Sequence, residues 1–256
     1  MPHQIFFNEA RWPEIIESQR RIISMAIAQR ASNFFLEDHH TINSDLRYLN
    51  LTSSELELPM KVGLSNRVCG YDLPCSFSGK DWNGRYLLFC FQDPLRTKEA
   101  KMGIAGVLAG IPFGLASNRM RLKRMGYGVV WATVLAAIEA GFGVWVTDAR
   151  KFWVDPNNPL PPEDESELTK IQQETLADEI RLLKPEKVFS FGDHANNALR
   201  DLGVKVSSCQ LHPSVRGNKP WQRRYQEDIF DVATNADERM TAKVNAYLKD
   251  MGIGCR

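Results

Sequence analysis

The chain has 256 residues, enough for one sizeable domain or for a domain with an appended subdomain. Hydrophobic residues make up 43% and charged residues 25%, and 32 basic against 31 acidic side chains leave a formal charge of +1. This is the balance of an ordinary globular protein; a chain that coats nucleic acid without specificity is more basic, so any nucleic-acid role must rest on local patches. No apolar run approaches the roughly 20 residues of a membrane span. The amino terminus, MPHQIFFNEARWPEIIESQRR, is charged early and lacks a signal-peptide core. Five cysteines without Cys-x-x-Cys spacing argue against a disulfide framework and for a reducing, cytoplasmic location.

In chain order, residues from about Trp12 to Phe35 read as one amphipathic helix, with Pro13 at a favoured first-turn position. The following stretch, LEDHHTINSDLRYLNLTSSELELPM, is polar and weakly periodic and reads as connecting structure. His39 and His40 are neighbours that point apart, and no cysteine or carboxylate completes a metal motif with them; Cys69 and Cys75 make the same weak case. From Arg85 onward the pattern changes. Apolar runs at 86–91 (YLLFCF), 143–147 (GVWVT), 187–191 (KVFSF) and 205–211 (KVSSCQL) read as strands. Helical segments alternate with them: GLASNRMRLKRM, VVWATVLAAIEAG, ESELTKIQQETLADEIRLLK and DHANNALRDLG. The Pro-rich WVDPNNPLPPEDE reads as a loop, with Asp164 or Ser166 expected to cap the helix after it, and a last helix is expected from about Ala236 to Asp250.

Such alternation predicts an α/β fold, a three-layer αβα sandwich around a mostly parallel sheet, spanning about residues 81–256. Residues 1–80 would be a helical or irregular extension packed on that core. Ligands of open parallel sheets bind at the carboxyl ends of the strands. Those ends carry Gln92-Asp93-Pro94, the run from Thr147 and Asp148 to Lys151, Gly192-Asp193-His194 and His212-Pro213-Ser214. The fold would gather these polar groups into one crevice.

Taken in order, these segments resemble the uracil-DNA glycosylase superfamily over residues 85 to about 225. FCFQDPLR is similar to its first motif, whose Gln-Asp-Pro form occurs in the uracil-removing enzymes. GIPFGLASNRMRLKRM resembles a Gly-x-Pro-Phe stretch leading into a helix, and VWVTDARKFWV a strand ending in Thr-Asn with a following Lys. LHPS matches the closing motif. The resemblance implies that Asp93 orients the attacking water and that His212 stabilises the departing base. It implies that Gln92, Phe113 and Asp148 bind the base, with Phe113 stacking on it. Ser214 and Lys151 would hold DNA phosphate, and Val215 or Arg216 would wedge into the duplex. Arg216, Lys219, Arg223 and Arg224 then have a reason to cluster, as do Arg119, Arg121, Lys123 and Arg124, although a charge-rich helix face is also explained by solvation alone.

Two departures stand out. The family commonly has Asn where this chain has Asp148; an ionised Asp only accepts hydrogen bonds, whereas a protonated one imitates the amide. Leu95 and Arg96 replace the Tyr-His that continues the first motif in the uracil-removing enzymes. RKFWV lacks the cysteine of the iron–sulfur branches, so neither a cluster nor any other cofactor or metal is expected. The expected partner is DNA with one base flipped into the pocket, bound by a monomer. The competing reading is a nucleic-acid- or nucleotide-binding relative that keeps the fold without the chemistry. Asp93 on its own is equally an Asp-Pro turn after a strand. No Gly-x-Ser-x-Gly elbow, Walker loop or dinucleotide fingerprint supports an unrelated α/β enzyme.

Overall fold

A computed structural model describes residues 5–7, 11–37, 48–94, 96–110, 128–213, 215, 218–226 and 235–253. The strands are β1 (Ile5–Phe7), β2 (Leu49–Leu51), β3 (Val68–Asp72), β4 (Cys75–Gly79), β5 (Tyr86–Phe91), β6 (Gly106–Gly110), β7 (Gly143–Asp148), β8 (Phe152–Val154), β9 (Lys187–Phe191) and β10 (Ser208–Gln210). The helices among the described residues are α1 (Trp12–Ser18), α2 (Met25–Glu37), α3 (Lys61–Ser65), α4 (Thr97–Lys101), α5 (Gly128–Glu139), α6 (Pro162–Leu183), α7 (Asp193–Asp201), α8 (Asn218–Tyr225) and α9 (Ala236–Met251).

The fold is mixed α/β and holds two mixed sheets. The larger has the order β1-β4-β7-β5-β9-β10. Its β7–β5, β5–β9 and β9–β10 pairings are parallel, while β1–β4 and β4–β7 are antiparallel. β5 lies at its centre, and all six of its residues are buried, which is why YLLFCF is a continuous apolar run without alternation. The smaller sheet, β2-β6-β3-β8, has no counterpart in the sequence reading. It draws β2 from the supposed connecting stretch, β6 from GVLAG, where no strand is expected, and β8 from the start of the Pro-rich loop. The first 80 residues are therefore not merely helical or irregular, since β4 joins the larger sheet and β2 and β3 the smaller.

Three further expectations change. The helix expected from Trp12 to Phe35 is two helices, because Ser18 and Gln19 turn inward, fully buried, with Gln19 Nε2 donating to Ser18 Oγ and to Glu179 Oε1. α6 starts at Pro162 with Pro161 as its cap, two residues before Asp164, and no side chain caps it. Glu163, Asp164 and Glu165 instead place negative charge at its positive end. The strand expected at 205–211 shortens to Ser208–Gln210. No helix among the described residues is long and apolar enough to cross a membrane.

Candidate active site at the carboxyl edge of the larger sheet

In chain order the four parallel strands are β5, β7, β9 and β10, and in space they lie β7-β5-β9-β10. Connections leaving β5 and β9 therefore run to opposite sides, which makes their carboxyl ends the switch point beside which open α/β sheets bind ligands. The register makes these ends level: Phe91 pairs with Asp148, Cys90 with Ser190 and Gln210 with Phe191. Gln92 and Asp93, Asp148, Gly192 to His194 and His212 thus emerge along one edge.

Asp93 is half-buried and leaves β5 on a loop tied to its neighbour strand. Ala149 N–H donates to Phe91 O (2.8 Å), and Arg150 N–H donates to Gln92 O (3.0 Å). Burial raises the Asp93 carboxyl above its ordinary range. The opposing influences are a hydrogen bond from Gln92 Nε2 to Asp93 Oδ2 (3.1 Å) and the positive fields of Arg150, His212 and His194. His212 is also half-buried, and burial lowers its imidazole below the usual 6.5 while the Asp93 carboxylate pulls it back. Each of the two groups therefore lies in the other's field, although they are far apart in sequence.

The loop carrying His212 is fixed from behind. Leu211 N–H donates to Tyr225 Oη (3.1 Å), Tyr247 Oη donates to Leu211 O, and Tyr225 Oη also donates to Gln210 Oε1 (2.9 Å). Tyr225 stands on α8 and Tyr247 on α9, so two helices hold one loop. Gly192 supplies the space in front. Its φ of 94° lies where L side chains are strained, and a Cβ there would come 3.3 Å from His212 Cβ.

Asp148 ends β7 and makes no hydrogen bond to a described residue. Burial first and then the nearby Asp72 push its carboxyl well above 3.8, Asp93 adds to this, and Lys151 and Arg96 oppose it. Asp72 is engaged elsewhere, in a buried ion pair with Arg96. Arg96 Nη1 also donates to Pro94 O (3.1 Å) and Nη2 to Leu108 O (3.2 Å), and its guanidinium lies 4.1 Å from the Tyr48 ring centroid. Sequence reasoning took Arg96 only as a departure from a motif and passed over Asp72. Their partnership joins the end of β3 to the loop after β5, and neither residue type signals it.

Lys151 requires a correction. It is fully buried and paired at 2.6 Å with the equally buried Glu179, and it donates to Thr147 Oγ1 (2.6 Å). Its ammonium faces inward and does not meet a backbone phosphate. The cation on the outer side of this segment is Arg150, which is exposed. Val215 is half-buried and packs against the core, and its carbonyl accepts from Trp221 Nε1 (3.1 Å) and Lys243 Nζ (3.3 Å), so it does not stand out as a wedge. Lys219, Arg223 and Arg224 are exposed on α8, with Arg224 Nη2 donating to Cys209 O (2.8 Å). Phe113, Ser214, Arg216, Leu95, the cluster of Arg119, Arg121, Lys123 and Arg124, and the His39–His40 pair lie outside the described residues. Cys69 and Cys75 are buried, and no group of three potential metal ligands occurs among the described residues. No family model and no curated protein matches this chain.

Proposed function

We propose that the chain is a DNA glycosylase-type hydrolase, a divergent relative of the uracil-DNA glycosylases, that removes a deaminated or otherwise modified base from DNA. The observation that carries this reading is the shared edge: a carboxylate and an imidazole in each other's field at the point where the parallel strand order reverses. The αβα layering of that superfamily has support in the packing. α5 and α9 pack on each other and on β4, β7 and β10, while α6 packs with α1 and meets Trp145 of β7 through Glu179.

Cleavage of an N-glycosidic bond requires a flipped base, an oriented water and a stabilised leaving group. Asp93, with a raised proton affinity, accepts a proton from a water aimed at the anomeric carbon, and its charge stabilises the cationic sugar. His212, held neutral by burial, donates an N–H to the oxygen of the departing base. Asp148, in its neutral form, offers one donor and one acceptor side by side. That pair complements a carbonyl next to an imide N–H, the edge shared by uracil, hypoxanthine and xanthine. Gln92, beside Asp93, contributes to the same wall. The exposed cations of α8 supply phosphate contacts, and all the groups named come from one chain, so the reading needs no second copy.

The test is alkali cleavage of duplex and single-stranded oligonucleotides carrying uracil, hypoxanthine, xanthine or alkylated bases. Abasic product is expected from at least one deaminated base, with Asp93→Asn binding the substrate normally but turning over about 10²-fold or more slowly. Binding with no product from any base would replace the enzyme by a nucleic-acid-binding relative of the same fold.

A further inference from the structure

The loop that carries Asp93 ends near a buried arginine that ties it to the smaller sheet. Arg96 is 3% exposed. Its guanidinium bonds backward to Pro94 O, the carbonyl following Asp93, and outward to Leu108 O on β6 and Asp72 on β3. Two glycines keep the space this needs. A Cβ on Gly70 would overlap Pro94 O and lie 2.8 Å from Arg96 Cγ, and a Cβ on Gly110 would lie 2.7 Å from Asp72 Oδ1 and 2.9 Å from Arg96 Nη2. Tyr48 closes the remaining face of the guanidinium. The smaller sheet thus grips the loop through one side chain, and the grip reaches the backbone one residue beyond the carboxylate.

We infer that Arg96, seated by Asp72, Gly70 and Gly110, is a positioning residue that fixes Asp93 for the reaction, which makes the smaller sheet a support for the catalytic loop. This rests on the proposed glycosylase reading for the reaction itself, whereas the grip on the loop does not. A planar guanidinium is suited to the task because it bonds two carbonyls and a carboxylate at fixed angles, which an ammonium cannot reproduce.

The experiment uses the full chain with Arg96→Ala, Arg96→Lys and Asp72→Asn, after circular dichroism and melting show which variants fold. Hydrogen exchange of the Asp93 and Arg96 amides is measured alongside kcat and KM on the oligonucleotide that the wild type cleaves best. At least tenfold faster exchange at those two amides is expected in every folded variant, with β5 unchanged. kcat should fall roughly 10- to 100-fold at nearly constant KM, and millimolar guanidinium should restore part of it in Arg96→Ala but not in Asp93→Asn. Unchanged exchange at Asp93 and Arg96, or a fall in kcat that guanidinium leaves untouched in a folded Arg96→Ala protein, overturns the inference. If the wild type cleaves no oligonucleotide, the glycosylase reading fails and exchange alone decides whether Arg96 fixes the loop.

Discussion

Replacing Glu179 by Gln is expected to destabilise the protein strongly, because it leaves the buried Lys151 ammonium without its balancing charge. Glu179 and Lys151 are both 0% exposed, and their contact distance is 2.6 Å. The same carboxylate accepts from Gln19 Nε2 (2.6 Å) and Trp145 Nε1 (3.4 Å), while Gln19 Oε1 accepts from Tyr71 Oη (3.0 Å). The amide keeps the volume but removes the charge that balances a buried ammonium. Breaking such a pair from one side typically costs about 3–5 kcal/mol, a large share of the roughly 5–15 kcal/mol that holds a domain folded. With a urea dependence of about 3 kcal/mol per molar, the unfolding midpoint should drop by about 1–1.7 M. Lys151→Met in the Glu179→Gln background should recover part of the loss, and the double-mutant cycle should show coupling of at least 0.5 kcal/mol. Equilibrium urea unfolding followed by tryptophan fluorescence reads all four proteins. A midpoint shift below about 0.3 M for Glu179→Gln, or a Lys151→Met protein of unchanged stability whose salt dependence of DNA binding drops by about one phosphate contact, would refute the reasoning and return Lys151 to the surface.

Asp148 makes stability depend on pH. Its folded-state pKa is raised above the unfolded value, so the folded protein binds the extra proton and stability falls as pH climbs from the ordinary carboxylate range toward the raised pKa. Asp148→Asn should flatten that decline, as read from urea midpoints at pH 5 and pH 8; an equal decline in both proteins would remove Asp148 as its source. Gly192→Ala places a Cβ at a φ of 94° and 3.3 Å from His212. It should lose about 1–3 kcal/mol, seen as a melting temperature lower by several degrees, and should shift the imidazole titration of His212 in NMR. A melting point and titration both unchanged would mean that the His212 loop moves freely away from β9.

The parts of the fold legible in the sequence are those whose burial is continuous. β5 and β9 fall where YLLFCF and KVFSF put them, and β7 runs one residue past the expected Thr147, because a strand covered on both faces is an uninterrupted apolar run. The smaller sheet was not legible. Its strands are three to five residues long, and VCGYD and GVLAG owe their burial to neighbours distant in the chain rather than to a pattern of their own. The break between α1 and α2 was hidden for a related reason, since the apolar rhythm runs through Ile22 and Ile23 while the backbone turns to bury Gln19. At the edge, Asp93 and His212 could be singled out because each lies two residues past the end of a strand. Lys151 was misplaced because lysine is so seldom fully buried that its type argues for the surface. Burial alternates past the end of β7, with Ala149 and Lys151 inside and Arg150 outside, and that alternation, extended three residues beyond the strand, was the available signal.

The carboxylates along this edge divide their roles through their surroundings. Asp72 has a guanidinium against it, in a buried ion pair with Arg96. Asp148 lies in the field of that carboxylate with no hydrogen bond to a described residue, and burial and Asp72 together push its carboxyl well above the ordinary range. Asp93 has a Gln92 hydrogen bond and three cationic neighbours to offset its burial, and it is the one of the two raised carboxyls whose charged form is the better supported. On the proposed glycosylase reading, two carboxyls whose surroundings differ in this way suit reading a base and activating a water at the same pH. Arg96 links the two roles, since it neutralises Asp72 and holds the Asp93 loop. Its loss would therefore leave Asp72 unpaired and loosen the Asp93 loop, and on the proposed reading it would lower kcat far more than it changes KM.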